Sequence, residues 1–164
     1  PFYILVVPPT GGSQTFAATE DAYVKTSNAT RNYGNDTWLR IRQSASETYE
    51  SFVKFDVTGL VGPPSQVKLR LFVTTASSSA GAVSSVSASA WSESTITWNT
   101  RPTTLTPVAP NQPTPAAGQW VEWDVTSAVA GNGAVSFALV SSSSTSAFFS
   151  SSEGANAPQL VVTP

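Results

Sequence analysis

Any chemistry in this chain must come from carboxylates, because the residues that usually supply it are missing. Its 164 residues include no His and no Cys. That removes the common general base, the Ser-His-Asp triad and the usual zinc ligands together. Four acids, Glu20, Asp21, Asp124 and Glu153, fall near the two ends of the main body of the sequence. Such groups, with backbone carbonyls, hold structural Ca2+. The competing reading is caps and ion pairs with Arg40, Arg42 or Arg70. No other cofactor is required. Glu122 and Asp124 share a strand face and could imitate a glycosidase pair. Two acids on one strand are common, however, and the chain is read as a non-enzyme.

Aromatic residues offer a second kind of chemistry, since flat rings stack on pyranose sugars. Of the five Trp, Trp91, Trp98 and Trp123 are expected in the core. Trp120 falls on the opposite face from Trp123 and leads the sugar-binding candidates. Tyr33 and Trp38, flanking a loop, come next. Asn28-Ala29-Thr30 and Asn35-Asp36-Thr37 match the N-glycosylation pattern. The Thr/Pro stretch holding Thr103, Thr104, Thr106 and Thr114, with the Ser runs, favours glycan decoration as well. Charged residues are 11% of the chain and the net charge is −2. No basic patch for nucleic acid or polybasic membrane face is present.

The elements that must position these residues read as strands. Turn signals recur at short intervals, with alternating apolar and polar residues between them. Val67, Leu69, Leu71 and Val73 point one way while Lys68 and Arg70 point the other. Residues 15–18, 21–25, 37–42, 49–57, 120–125, 134–140, 146–150 and 159–162 follow the same logic. Residues 77–90 form a weak or edge strand, and residues 95–98 a short one. Residues 56–60 and 125–130 read as helical turns, and the proline-rich residues 101–118 as a long irregular loop. Without a long amphipathic helix, the expected fold is all-β, an antiparallel β-sandwich, with one extra strand at the N-terminus.

From Thr15 onward the sequence resembles the DNRLRE domain family of secreted bacterial and archaeal proteins, which overlaps a class of alginate-binding carbohydrate-binding modules. The likeness is carried by Glu20-Asp21-Ala22-Tyr23-Val24, Asn32-Tyr33-Gly34, Phe52-Val53-Lys54-Phe55-Asp56-Val57 and Val67-Lys68-Leu69-Arg70-Leu71. Its most distinctive part is Trp91-Ser92-Glu93-Ser94-Thr95-Ile96-Thr97-Trp98-Asn99, followed by Arg101-Pro102. Residues 120–124, Ser152-Glu153 and Pro158-Gln159-Leu160 complete it. One departure stands out: the family usually has a basic residue before the closing Glu, where this chain has Ser152. The resemblance implies a jelly-roll sandwich, exported and extracellular or on a cell surface, often in tandem. It does not imply one function.

Outside that pattern lies the segment Phe2, Tyr3, Ile4, Leu5, Val6 and Val7, ended by Pro8-Pro9. Residues 1–9 read as a donor strand, 10–14 as a flexible linker and 15–164 as the sandwich. The apolar run is far short of the roughly 20 residues that a membrane-spanning helix needs, so no membrane insertion is expected. The leading functional expectation is a filament or surface-fibre subunit that lends residues 2–7 to a neighbouring identical or tandem copy. The alternative is a carbohydrate-binding module for an acidic polysaccharide such as alginate. Lys25, Arg31, Arg40, Arg42 and Arg101 are the cations it could use.

Overall fold

The computed structural model describes residues 11–164. The donor segment, residues 2–7, lies outside the described residues. The strands are β1 (Gln14–Ala17), β2 (Glu20–Lys25), β3 (Trp38–Gln43), β4 (Thr48–Val57), β5 (Gln66–Thr75), β6 (Gly81–Val86), β7 (Thr106–Gln112), β8 (Trp120–Asp124), β9 (Gly133–Val140), β10 (Ala147–Ser150) and β11 (Gln159–Thr163). Every pairing is antiparallel, and the two layers make the β-sandwich expected from the alternation.

One layer is ordered β1-β11-β5-β8, and β10 and β3 extend it beyond β11 along β5. The other is ordered β2-β4-β9-β6-β7. The layers meet at the β3–β4 corner, where only Arg42–Tyr49 and Gln43–Thr48 pair. Beyond it the strands part. Ser51 fills the gap: its hydroxyl donates to the Arg40 carbonyl at 2.8 Å and accepts the Arg40 N–H at 3.1 Å.

Alternation puts Val67, Leu69, Leu71 and Val73 of β5 against Val53, Phe55 and Val57 of β4, with Trp123, Phe137 and Phe149 between. These side chains are fully buried or nearly so. Burial of apolar area at about 25 cal/mol per Å2 is the main term holding the layers together. Trp123 satisfies its one polar group by donating Nε1–H to the Gly81 carbonyl at 3.0 Å.

A second, smaller core lies on the outer face of β2, β4 and β9. Ala22, Val24, Phe52 and Ala138 face outward there and are capped by Trp91 and Ile96. Trp91 donates Nε1–H to Ser136 Oγ at 2.8 Å. Trp91 and Trp123 are thus core residues, as expected. Trp98 is half-buried against the same cluster, with the Arg101 guanidinium 3.5 Å above its ring.

Three local expectations are corrected. Residues 95–98 form turns rather than a strand, because Ile96 is drawn into the outer core and ties the segment down. Residues 101–118 are not all loop, since they contain β7. Pro107 and Pro110 are tolerated because β7 pairs only with β6, with breaks in register, and so needs few donors. Residues 56–60 make no helical turn; β4 continues to Val57 and open chain follows. The turn within residues 125–130 is present as a 3-10 turn, Thr126–Ala128. No helix among the described residues is long and apolar enough to cross a membrane.

Candidate functional site

Of the four acids singled out by the sequence, the fold brings Asp21 and Glu153 together and adds Glu93. One carboxylate oxygen from each lies within 4.8 Å of the others. The other two acids are engaged elsewhere. Glu20 pairs with Lys54, and Asp124 accepts the Thr126 N–H at 3.0 Å and its hydroxyl at 2.6 Å.

Asp21 sits on the inward side of β2 and is 1% exposed. Its Oδ2 accepts the Ser152 N–H at 2.8 Å, and its own N–H donates to Glu93 Oε1 at 2.9 Å. Asp21 Oδ1 is buried with no hydrogen-bond partner. Burial pushes this carboxyl up to about 7; the charges of Glu153 and Glu93 add to the rise, and the Ser152 N–H opposes it. Glu93 is raised too, mainly by burial. Among the described residues none of the three carboxylates makes an ion pair.

Local sequence explains how they meet. Asn32 Nδ2 donates to the Glu93 and Ile96 carbonyls at 2.7 and 2.8 Å, fastening the Glu93 turn to the 31–36 loop. Gly34 packs so closely that a Cβ there would overlap the Glu93 carbonyl oxygen. Ser151 donates its hydroxyl to the Asp36 carbonyl at 2.7 Å, drawing the Ser152-Glu153 turn to the same place. Gly34→Ala is therefore expected to cost about 1–3 kcal/mol in urea unfolding. Gly62→Ala, with nothing within 4 Å, should leave stability unchanged or slightly higher.

A second surface of interest runs along β3, whose outward face carries Trp38, Arg40 and Arg42. Trp38 is 42% exposed. The Arg40 guanidinium lies 3.8 Å from the Tyr49 ring centre and 4.9 Å from that of Phe148. It donates to Tyr49 Oη and Ser146 Oγ at 2.8 and 3.0 Å. Arg42 Nε is buried without a partner. Arg31 stands 5.1 Å over Tyr33; Tyr33 stacks on Tyr23, and Tyr49 packs tilted against Tyr23, in one buried cluster. Of the eight Lys and Arg, five are in ion pairs: Lys25, Lys54, Lys68, Arg70 and Arg101. The three without a carboxylate partner among the described residues, Arg31, Arg40 and Arg42, all border this tyrosine cluster.

The other sugar-binding candidates are placed differently. Tyr33 is only 6% exposed, so its ring faces are spent inside the cluster. Trp120 is half-buried; Phe72 meets it edge-on at 5.4 Å and Arg70 lies 4.8 Å over it. Arg70 in turn holds Glu122 at 2.8 Å, so Glu122 of the carboxylate pair is tied up in charge contacts. Asn28, Asn35, Thr103, Thr104 and Thr106 are exposed. Thr114 is half-buried, with its hydroxyl accepting the Ser77 N–H at 2.7 Å and donating back to the Ser77 carbonyl.

Reading the sequence missed Glu93 as a site residue, although it lies in the most distinctive stretch. The available signal was collective. Each acid of the trio sits in a different motif, and the motifs converge. The family model for carbohydrate-binding module family 96 matches residues 12–164. A search of curated proteins finds no match for the chain.

Proposed function

We propose, since this chain belongs to carbohydrate-binding module family 96, that it is a non-catalytic module gripping an acidic polysaccharide of the alginate type through the β3 face. The observation that carries the reading is the unpaired charge beside an exposed ring: Trp38, Arg40 and Arg42 in one row. In the row, Trp38 stacks on a sugar ring. Arg42, which has no carboxylate of its own, pairs with a uronate carboxylate, for which its planar fork is suited. Arg40 lines the row and is held by Tyr49 and Ser146. This reading is favoured over the Trp120 surface, where Arg70 and Phe72 already cover the ring. It is also favoured over the filament reading, which rests on residues outside those described, whereas the family match supports sugar binding. A module of this kind works outside the cell, where such polysaccharides occur.

Affinity electrophoresis through gels containing alginate tests it. The parent protein should be retarded, and less so as salt rises, because salt screens the attraction between arginine and uronate. Trp38→Ala combined with Arg42→Ala should weaken retention at least about 10-fold, the loss of a binding hot spot. Trp120→Ala should be retarded like the parent. Equal retardation of the parent and the double variant removes β3 as the site.

A further inference from the structure

We propose that Asn132 is a self-modification site: the backbone nitrogen of Gly133 attacks the Asn132 side-chain amide, and the change unfastens the 58–64 loop. The site uses no residue of β3 and does not depend on the sugar reading.

Sequence and backbone carry the first half. Asn132-Gly133 is the one Asn-Gly pair in the chain. Every other Asn is followed by a residue whose Cβ crowds its own backbone nitrogen. Gly133 has a φ of +130°, and nothing lies within 4 Å of where its Cβ would stand. Its backbone conformation favours glycine, and the flank of its nitrogen is open. Both residues are exposed, so water reaches the reacting groups.

The step balances without a co-reactant other than water. The Gly133 nitrogen gives its proton to a solvent base and forms a bond to Asn132 Cγ. The Cγ–Nδ2 bond breaks, and that nitrogen departs as ammonia. The product is a cyclic succinimide. Water then adds to either of its carbonyls and opens the ring, to isoaspartate or to aspartate. The net exchange is an amide NH2 for an OH, and nothing is oxidised or reduced.

The hydrogen bonds of the side chain show what the site controls. Asn132 Oδ1 accepts the Leu60 N–H at 2.8 Å, and Nδ2 donates to the Leu60 carbonyl at 2.9 Å. Among the described residues these are the only hydrogen bonds that residues 58–64 make. Little else holds the loop: Leu60 packs in part against the main core, while Val61 is 98% exposed. The product does not rebuild this clasp. A carboxylate has no proton to give the Leu60 carbonyl and sets a charged acceptor against it. Isoaspartate also lengthens the main chain by a methylene at the entrance to β9.

The same clasp sets the rate. Attack requires the amide to leave Leu60, so the reaction follows the fraction of time that the clasp is open. Two exposed hydrogen bonds have a small net worth, so the native chain is slowed by only about 10- to 100-fold.

The test is ageing of the full chain in mildly alkaline buffer, native and in urea. Peptide mapping by mass spectrometry and an isoaspartate-specific methyltransferase follow the conversion. It should concentrate at Asn132, quicken as pH rises, and run about 10- to 100-fold slower in the native chain than in urea. Thermolysin, which cuts before Leu and Val, should then cleave the aged protein at Leu60 or Val61 at least about 10-fold faster than the fresh protein. Asn132→Ala has neither the amide nor the clasp. It should show no conversion at this position and be cut from the start like the aged parent. A native chain that does not convert overturns the site, and so does conversion as fast in the native chain as in urea. An Asn132→Ala loop as resistant to thermolysin as the fresh parent overturns the clasp.

Discussion

Trp123→Ala is expected to lower the unfolding free energy by about 3–5 kcal/mol, a large share of the about 5–15 kcal/mol that a domain of this kind possesses. The ring is 1% exposed, in the middle of the main core. Its ring meets Phe149 of the same layer at 6.5 Å, and its Nε1–H reaches Gly81 of the facing layer. Deleting it removes contacts to both layers at once. It also leaves the Gly81 carbonyl without the donor it now has at 3.0 Å. The surrounding side chains sit on paired strands and can close the hole only in part, so the cavity term persists. Trp38→Ala is the contrast. That ring is 42% exposed, and its loss should change stability by no more than about 0.5 kcal/mol. Denaturant titrations followed by circular dichroism measure both. A loss below about 1 kcal/mol for Trp123→Ala would mean that the two layers do not depend on this contact.

Trp123 was legible as a core residue because the period of two along β8 leaves no ambiguity: Val121, Trp123 and Val125 fall on one side. The same rule gave β4, β5, β9 and β11 to within a residue or two. It fails where a strand is dressed by tertiary contacts. β7 is hidden by Pro107 and Pro110, which forbid a central strand but not an edge one. Phe52 and Phe55 both lie buried on β4, on opposite faces. Periodicity alone cannot say that the outer face is roofed by Trp91, because the roof lies some forty residues further on in the chain.

The site is less legible than the fold for a related reason. Strand parity places Trp38, Arg40 and Arg42 in one row from sequence alone. It says nothing about which Arg find carboxylates, since Arg101 meets Glu50 and Arg70 meets Glu122 across strands and loops. Asp21 and Glu153 could be named as acids near the ends of the domain. Glu93 could not be joined to them without knowing that Asn32 and Gly34 dock on its turn.

Held in chelator, the protein should become less stable as pH rises from about 4 to about 7, the reverse of the trend that ion-paired carboxylates produce. Asp21 is the cause. In the unfolded chain its carboxyl titrates at the ordinary 3.8, whereas in the fold burial holds it up to about 7. Between those values the folded state carries a proton that the unfolded state has released, so raising pH favours unfolding. Below the lower value both states are protonated and the contribution is complete; above the upper value both are ionised and the slope vanishes. The full span is on the order of 4 kcal/mol at about 1.4 kcal/mol per unit. Glu93 is shifted in the same direction. Glu47 and Asp124 are lowered, mainly by hydrogen bonds from Ser27 and Thr126, so they act at and below the ordinary carboxylate range and steepen the acid limb instead. Asp21→Asn isolates the effect. The amide keeps an oxygen for the Ser152 N–H and carries no charge, so the variant should lose most of the slope between pH 5 and 8, keeping only the part due to Glu93, and be more stable than the parent at pH 8. Urea midpoints measured in steps across that range decide the matter. A parent whose midpoint is level or rising from pH 5 to 8 would show that Asp21 reaches solvent in the folded protein and ionises at its ordinary value.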